Sequence, residues 1–250
     1  MLNIVIPMAG RGSRFASVGF RQPKPLIQVY GKSMIDIVVN NLTPECPHCF
    51  IFICLREHQE QYGLQEHLSA LAPGCKIIYV DKVTEGAACT VLLARDLINN
   101  NDPLMIANSD QWIDVDINEY LKKMEMSNVA GLIMTMWADD PKWSFVRLNA
   151  AGRVLEVVEK EVVSNEATVG IYNYRYGSDY VISAENMIAK NLRVNNEFYV
   201  APVYNEMLEA GQFIDFYNIG KINSGMYGLG TPEDLEFFMA MPVSEKATTF

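Results

Sequence analysis

Residues 2–26 read LNIVIPMAGRGSRFASVGFRQPKPL, and the rest of the chain is organised around this stretch. Leu2 to Met8 is a short apolar run rich in β-branched residues, the pattern of a buried parallel strand. Ala9-Gly10-Arg11-Gly12-Ser13-Arg14 follows without a spacer. Its two glycines let the backbone turn tightly and approach a ligand with no Cβ in the way. Consecutive peptide N–H groups on such a turn form a nest for phosphate oxygens. Arg11, Arg14 and Arg21 add fixed positive charge beside it. Lys24 stands between Pro23 and Pro25. Each proline fixes its own φ and biases its predecessor towards extended geometry, so the ammonium is carried on a stiff segment.

Two common phosphate loops are excluded. A Walker A loop closes on Gly-Lys-Ser/Thr, whereas this one closes on Ser13-Arg14-Phe15, and a dinucleotide fingerprint needs a third glycine where Phe15 stands. The Gly10-x-Gly12 pair alone is a weak signal. The whole string (strand, then GRGSRF, then QPKPL) resembles the signature of sugar-phosphate nucleotidylyltransferases, the pyrophosphorylases that build nucleotide-activated sugars and related head groups. The resemblance runs from Leu2 to about Met239. It implies a three-layer α/β/α Rossmann-like (GT-A-like) nucleotidyltransferase fold with a mixed, mostly parallel central sheet.

Composition bounds the reading. The chain has 250 residues, 50% of them hydrophobic, and a net charge of −10. One large α/β domain is expected over 1–241, with a nucleotide-binding half at 1–128, an acceptor-binding half at 129–241 and a frayed tail at 242–250. The acidity argues against a nucleic-acid partner. No apolar stretch reaches membrane-spanning length and the opening strand does not read as a signal peptide, so a cytoplasmic protein without a membrane partner is expected. A homo-oligomer stays open. Five cysteines form no paired framework; Cys46-Pro47-His48-Cys49 has redox or zinc-like spacing but lacks a second CxxC and enters a strand rather than opening a helix.

Apolar runs alternate with helical patterns, as in βαβ units. Strands are expected at Phe50–Leu55, Lys76–Val80 and Leu104–Asn108, with helices at 34–42, 58–71 and 87–98. Beyond Val129 come strands at 129–136, 145–148, 154–158, 168–174 and 213–217, with a hairpin turn at Asn149-Ala150-Ala151-Gly152. Helices are expected at 178–191, 200–210 and 231–241, the last capped by Thr231 with Pro232 at its first position.

Four stretches carry candidate chemistry. Thr84-Glu85-Gly86-Ala87 opens a helix, where Gly86 admits close approach of a flat base and Glu85 could read a base edge; a plain N-cap at Thr84 is the alternative. Asn108-Ser109-Asp110-Gln111 follows a strand, where ligands of open α/β sheets bind. A carboxylate there suits Mg²⁺, so Asp110 is the candidate metal ligand. Glu159-Lys160 closes a strand and Gly170 lies in the next. By resemblance these hold the acceptor, Lys160 meeting its phosphate and Glu159 accepting from hydroxyls or an amine. Trp143, Asn196, Glu197, Phe198 and Tyr199 are placed around the same pocket. Gly228-Leu229-Gly230-Thr231-Pro232-Glu233-Asp234-Leu235 resembles the family's C-terminal Gly-Thr-Pro-Glu-Asp-Leu. In many relatives an aspartate two residues before that glycine is a second metal ligand, and here the position is Gly228.

The resemblance thus implies transfer of a nucleotidyl group from a nucleoside triphosphate to a small phosphorylated acceptor, with pyrophosphate released. Met8, Ala9, Gly10, Arg11, Gly12, Ser13 and Asn108 would bind the nucleotide with Glu85, Gly86 and Ala87. Arg14 would neutralise pyrophosphate and Lys24 the α-phosphate. The strings also look like a compact bacterial type that charges capsule or surface-polysaccharide precursors, one subgroup of which handles phosphoglutamine with CTP. CTP is therefore the expected donor, with UTP or dTTP next. At this length a C-terminal β-helix, and with it a bifunctional acetyltransferase, is not expected. Two other readings remain: a nucleotide-sensing protein that has lost catalysis, motivated by Gly228, and a glycosyltransferase using Asp114-Val115-Asp116.

Overall fold

The structure, a computed structural model, describes residues 1–250. Leu2–Pro7 lies at the heart of an eleven-stranded sheet, between His48–Leu55 and Leu104–Ala107, both parallel to it. Lys76–Val80 continues the parallel set beyond His48–Leu55. On the other side Glu166–Tyr174 pairs antiparallel with Leu104–Ala107 and Gly131–Trp137. Ile214–Ile222 and Gly225–Gly228 follow in parallel, and Gln111–Ile113 closes that edge antiparallel. Ser144–Leu148 and Val154–Glu159 form a hairpin beside Glu166–Tyr174. All strands except Gln111–Ile113, Val154–Glu159 and Glu166–Tyr174 run the same way, so the sheet is mixed and mostly parallel.

Alternation along the central strand builds two cores. Ile4 and Ile6 face Ile35, Val38 and Leu68 on one side, while Val5 faces Ala88, Val91 and Tyr204 on the other. Helices Met34–Leu42 and Leu64–Leu71 cover the first face; Ala87–Leu92, Gly177–Ala189 and Val203–Glu209 cover the second. This is the expected three-layer α/β/α arrangement. No helix is long and apolar enough to cross a membrane.

A third core lies outside the expected layers. Phe15, Ile27 and Met34 pack with Trp112, Leu229, Leu235, Phe238 and Ala247. The tail expected to fray is instead the helix Val243–Thr248, with Ser244 and Ala247 buried. The short SEKAT pattern is too polar to advertise a helix, and tertiary contact with the third core overrides propensity. Helix 58–71 is likewise two helices, Arg56–Tyr62 and Leu64–Leu71, parted by Gly63 at φ 61°. The expected helix 87–98 breaks into Ala87–Leu92 and Arg95–Ile98. Thr231 caps Pro232–Met239 by accepting from the Asp234 N–H at 3.1 Å.

Candidate active site

The glycine turn sits at the carboxyl end of the central strand. Gly12 has φ 60° and precedes the short helix Ser13–Ser17. A Cβ on Gly12 would stand 3.2 Å from the Lys24 Cβ, so glycine here lets the Pro-Lys-Pro segment close against the turn. Pro23 and Pro25 are buried and Lys24 is half-buried between them. Its ammonium points across the opening and pairs with the Asp110 carboxylate. Asp110 is held from the other side, because its carbonyl accepts from the Leu229 N–H at 2.8 Å. That bond brings in Gly230, whose Cβ would lie 2.9 Å from Asp110 Oδ2. The third core underneath fixes both partners, since Phe15 and Leu229 share it.

The result is a cavity of 430 Å³ lined by Met8, Gly10, Gly12, Ser13, Arg14, Lys24, Asn108, Ser109, Asp110 and Gly230, with Pro7, Phe15 and Pro25. Of the expected nucleotide residues, Ala9 is buried beneath it and Arg11 is exposed outside its lining. Arg21 is also exposed, and its carbonyl accepts from Tyr62.

A second cavity, of 290 Å³, adjoins the first at Asn108. Its lining brings together the expected Ala87, Trp143, Glu159, Gly170 and Tyr199, and adds Lys142, Ser144, Thr168, Val169, Tyr172, Val200 and Ala201. Gly170 has φ 82° at a register shift in its strand. A Cβ there would meet Asn108 Nδ2 at 2.1 Å, so glycine is what admits the Asn108 side chain at the junction of the two cavities. The Gly170 carbonyl accepts from the Asn108 N–H at 3.0 Å.

Glu159 stands opposite Ser144 in the hairpin and accepts from its hydroxyl. Burial pushes the Glu159 carboxyl up from its ordinary range, outweighing the Ser144 bond and the Lys160 charge that lower it. Ser144 was not legible from the sequence, because a regular register from Leu148–Val154 sets it across from Val158, and only the bulge between Val154 and Glu156 brings it to Glu159. Lys160, expected at the acceptor, does not itself line the cavity; at φ 59°, it stands behind the lining and donates to the Tyr199 hydroxyl at 2.6 Å. Asn196 and Glu197, expected at the acceptor, do not line the cavity. They lie exposed in a tight turn closed by the Val194–Glu197 bridge, with Asn195 and Asn196 both at positive φ, and Glu197 stays near enough for its charge to act on Lys160.

The Thr84–Ala88 stretch also differs from the simple cap. The helix starts at Ala87 with Gly86 preceding it, and the Thr84 hydroxyl donates to the Gly86 carbonyl at 2.9 Å. Glu85 is largely exposed and pairs with Arg193 instead of facing either cavity. Gly86, at φ 134°, packs against the backbone of Phe198.

Asp110 is the lone carboxylate lining the larger cavity, and nowhere do three or more His, Cys, Asp or Glu side chains gather as a metal cluster. One hard oxygen donor still suits an ion that completes its shell with phosphate oxygens, and the Lys24 ammonium already occupies the place of a cation on Asp110. At Gly228 the three atoms nearest to where a Cβ would stand all belong to Asp234, whose Oδ2 is 3.6 Å from that point. Asp114 pairs with Lys246 and Asp116 caps the helix Ile117–Met126, so both carboxylates of the Asp-x-Asp string are engaged in the scaffold.

A glycine turn with two converging cations, joined to a polar and aromatic cavity, is an arrangement for a polyphosphate beside a second ligand. The chain belongs to the nucleotidyl transferase family, whose sequence profile matches residues 4–215. It is 24% identical over 237 residues to the mannose-1-phosphate guanylyltransferase catalytic subunit beta of Dictyostelium discoideum, covering 92% of this chain and 64% of that one. It is 21% identical over 239 residues to a UTP–glucose-1-phosphate uridylyltransferase of Haloferax volcanii, covering 93% of each. The chain spans 49% and 39% of the length of two further curated relatives. Among solved structures, the nucleoside-diphosphate-sugar pyrophosphorylase of Vibrio cholerae RC9 superposes with a TM-score of 0.78 at 23% identity, covering 95% of this chain and 100% of that one.

Proposed function

We propose that this chain is a sugar-phosphate-type nucleotidylyltransferase. A phosphate oxygen of a small phosphorylated acceptor attacks the α-phosphorus of a nucleoside triphosphate, the bond to the β-phosphate breaks, and pyrophosphate leaves. The observation that carries the reading is the meeting, at Asn108, of the cavity holding Arg14, Lys24 and Asp110 with the cavity holding Glu159.

No protein nucleophile is needed, so the work is positioning and charge stabilisation. The Gly10–Ser13 turn cradles the phosphates and Arg14 balances charge on departing pyrophosphate. Lys24 leaves Asp110 to meet the α-phosphate. Mg²⁺, when bound, would be held by Asp110 and phosphate oxygens, and it supplies neutralisation of the triphosphate charge. Glu159 orients the acceptor through its polar groups, and Lys160 faces the acceptor phosphate.

The donor we favour is CTP, with UTP or dTTP next, for charging surface-polysaccharide precursors. The Gly86 loop is closed from behind by Phe198, which leaves modest room suited to a pyrimidine. Thermal-shift titration with each common triphosphate tests this. At a hundredfold excess over Kd a ligand stabilises by about 2.7 kcal/mol, which is roughly 5–11 °C in Tm for a chain of this size. A shift with CTP is expected; a shift with GTP or ATP alone would refute the pyrimidine assignment. Pyrophosphate release from CTP with candidate acceptors tests the reaction itself, and its absence with every triphosphate would favour a binding protein.

A further inference from the structure

Residues 190–202 join the helix Gly177–Ala189 to the helix Val203–Glu209. Within this strap Asn191, Asn195 and Asn196 take left-handed φ of 55°, 49° and 64°, which asparagine tolerates better than most residues. The strap returns to the site at Phe198. The Phe198 N–H donates to the Glu85 carbonyl at 2.9 Å, and its own carbonyl accepts from the Ala88 N–H at 3.0 Å. Its ring is buried, with the Arg193 guanidinium 4.2 Å from the ring centre. Tyr199 therefore leaves a backbone already fixed on both sides of Gly86, and its side chain lines the acceptor cavity.

Lys160 is pinned at both ends. Its N–H donates to the Trp143 carbonyl at 3.0 Å. Its ammonium donates to the Tyr199 hydroxyl at 2.6 Å and lies 4.7 Å from the centre of that ring. A lysine side chain otherwise keeps wide rotamer freedom, and a freely moving cation is a poor partner for a reacting phosphate.

We propose that Tyr199 is a positioning residue, whose phenol lines the acceptor cavity and holds the Lys160 ammonium beside it. The backbone that carries this phenol also holds the nucleotide-side Gly86 loop. The inference rests on the reading of Lys160 as the cation that meets the acceptor phosphate.

Tyr199→Phe keeps the ring and removes only the hydroxyl. KM for the phosphorylated acceptor should rise about five- to tenfold, as for losing a partly solvated hydrogen bond to a charge. KM for the triphosphate and kcat should stay within about twofold, because Phe198 still anchors the loop. With Lys160 already changed to Ala, adding Tyr199→Phe should cost nothing more, since the two residues act as one unit. A readout independent of turnover is NMR of reductively ¹³C-methylated protein. The Tyr199 hydrogen bond raises the Lys160 pKa, while Glu159 and Glu197 face the same ammonium in both proteins. The Lys160 resonance should therefore titrate at lower pH in Tyr199→Phe. Additive effects of the two substitutions on acceptor KM, or an unmoved Lys160 titration, would overturn the proposal. Wild-type protein that turns over no phosphorylated acceptor refutes the reaction instead, and with it any acceptor role for Tyr199. Urea midpoints of all variants identify a loss caused by misfolding.

Discussion

Gly86→Ala is the perturbation that most directly probes the seam between the Thr84–Ala88 loop and the strap that carries Phe198 and Tyr199. Gly86 has φ 134° and ψ 171°, a region essentially closed to residues with a Cβ. Forcing alanine into it costs about 1–3 kcal/mol. The added methyl would also stand 2.4 Å from the Phe198 carbonyl oxygen and 2.5 Å from its nitrogen. Both atoms are engaged, the oxygen with the Ala88 N–H and the nitrogen with the Glu85 carbonyl, so relief means giving up those bonds. Overpacking of this kind costs about 1–3 kcal/mol more. The total, about 2–6 kcal/mol, is a large share of the ~5–15 kcal/mol by which a domain is stable. At roughly 2–4 °C per kcal/mol the Tm should fall by roughly 4–24 °C. Urea denaturation should show a lower midpoint at unchanged slope, which separates lost stability from a changed unfolded state. Because Tyr199 follows Phe198, acceptor KM should rise along with triphosphate KM. A Gly86→Ala protein with wild-type midpoint and both KM values intact would refute the close packing of this seam.

Lys24→Ala should lower kcat by ~10²–10³, the range for one preorganised charge-stabilising donor, while the urea midpoint changes little; near-normal turnover would remove Lys24 from the reaction. Asp110→Asn should abolish the Mg²⁺ dependence together with activity. Full activity that a chelator still removes would place the metal elsewhere. Glu159→Gln should be more stable than wild type at pH 8. The folded-state pKa of Glu159 is raised by burial, so the charged carboxylate costs stability above the unfolded pKa, fully so above the folded one, and not below both. The difference in urea midpoint should therefore close near about pH 4. Acceptor KM should rise in the same variant, and a stability gap that persists into acid would refute burial as the cause.

The strands were legible where an apolar run had to be buried on both faces, as at Leu2–Pro7 and Phe50–Leu55. Local boundaries set by backbone conformation were harder. Gly63 reads as a tolerated interruption of an amphipathic run, and only its left-handed φ shows that it ends one helix and begins the next. Gln111–Ile113 is three residues long and finds its partner Gly225–Gly228 from the far end of the chain, a pairing that periodicity cannot express. The glycine turn and Lys24 could be grouped because they are neighbours in sequence. Their convergence with Asp110 depends on the crossover that sets the Leu104–Ala107 strand beside Leu2–Pro7. Ion pairs are the least legible layer: nothing in Thr84-Glu85-Gly86 announces that Glu85 turns to Arg193. Nearness to Tyr199 along the chain suggests the pocket for Asn196 and Glu197, but both stay exposed in the asparagine turn, outside its lining.

The third core has a consequence for the order in which the protein can be made. Phe15 belongs to the first turn after the opening strand, yet it packs with Leu229, Leu235, Phe238 and Ala247. Asp110 is held by Leu229 as well. A ribosome-bound chain that has already emerged through residue 200 holds most of the sheet but lacks the residues that seat the glycine turn. Contacts this distant form late, after the loop-closure entropy has been met. Triphosphate therefore has no completed pocket on the nascent chain and cannot act as an early folding ligand. Nucleotide protection against proteolysis should be acquired only when residues 229–247 have left the exit tunnel.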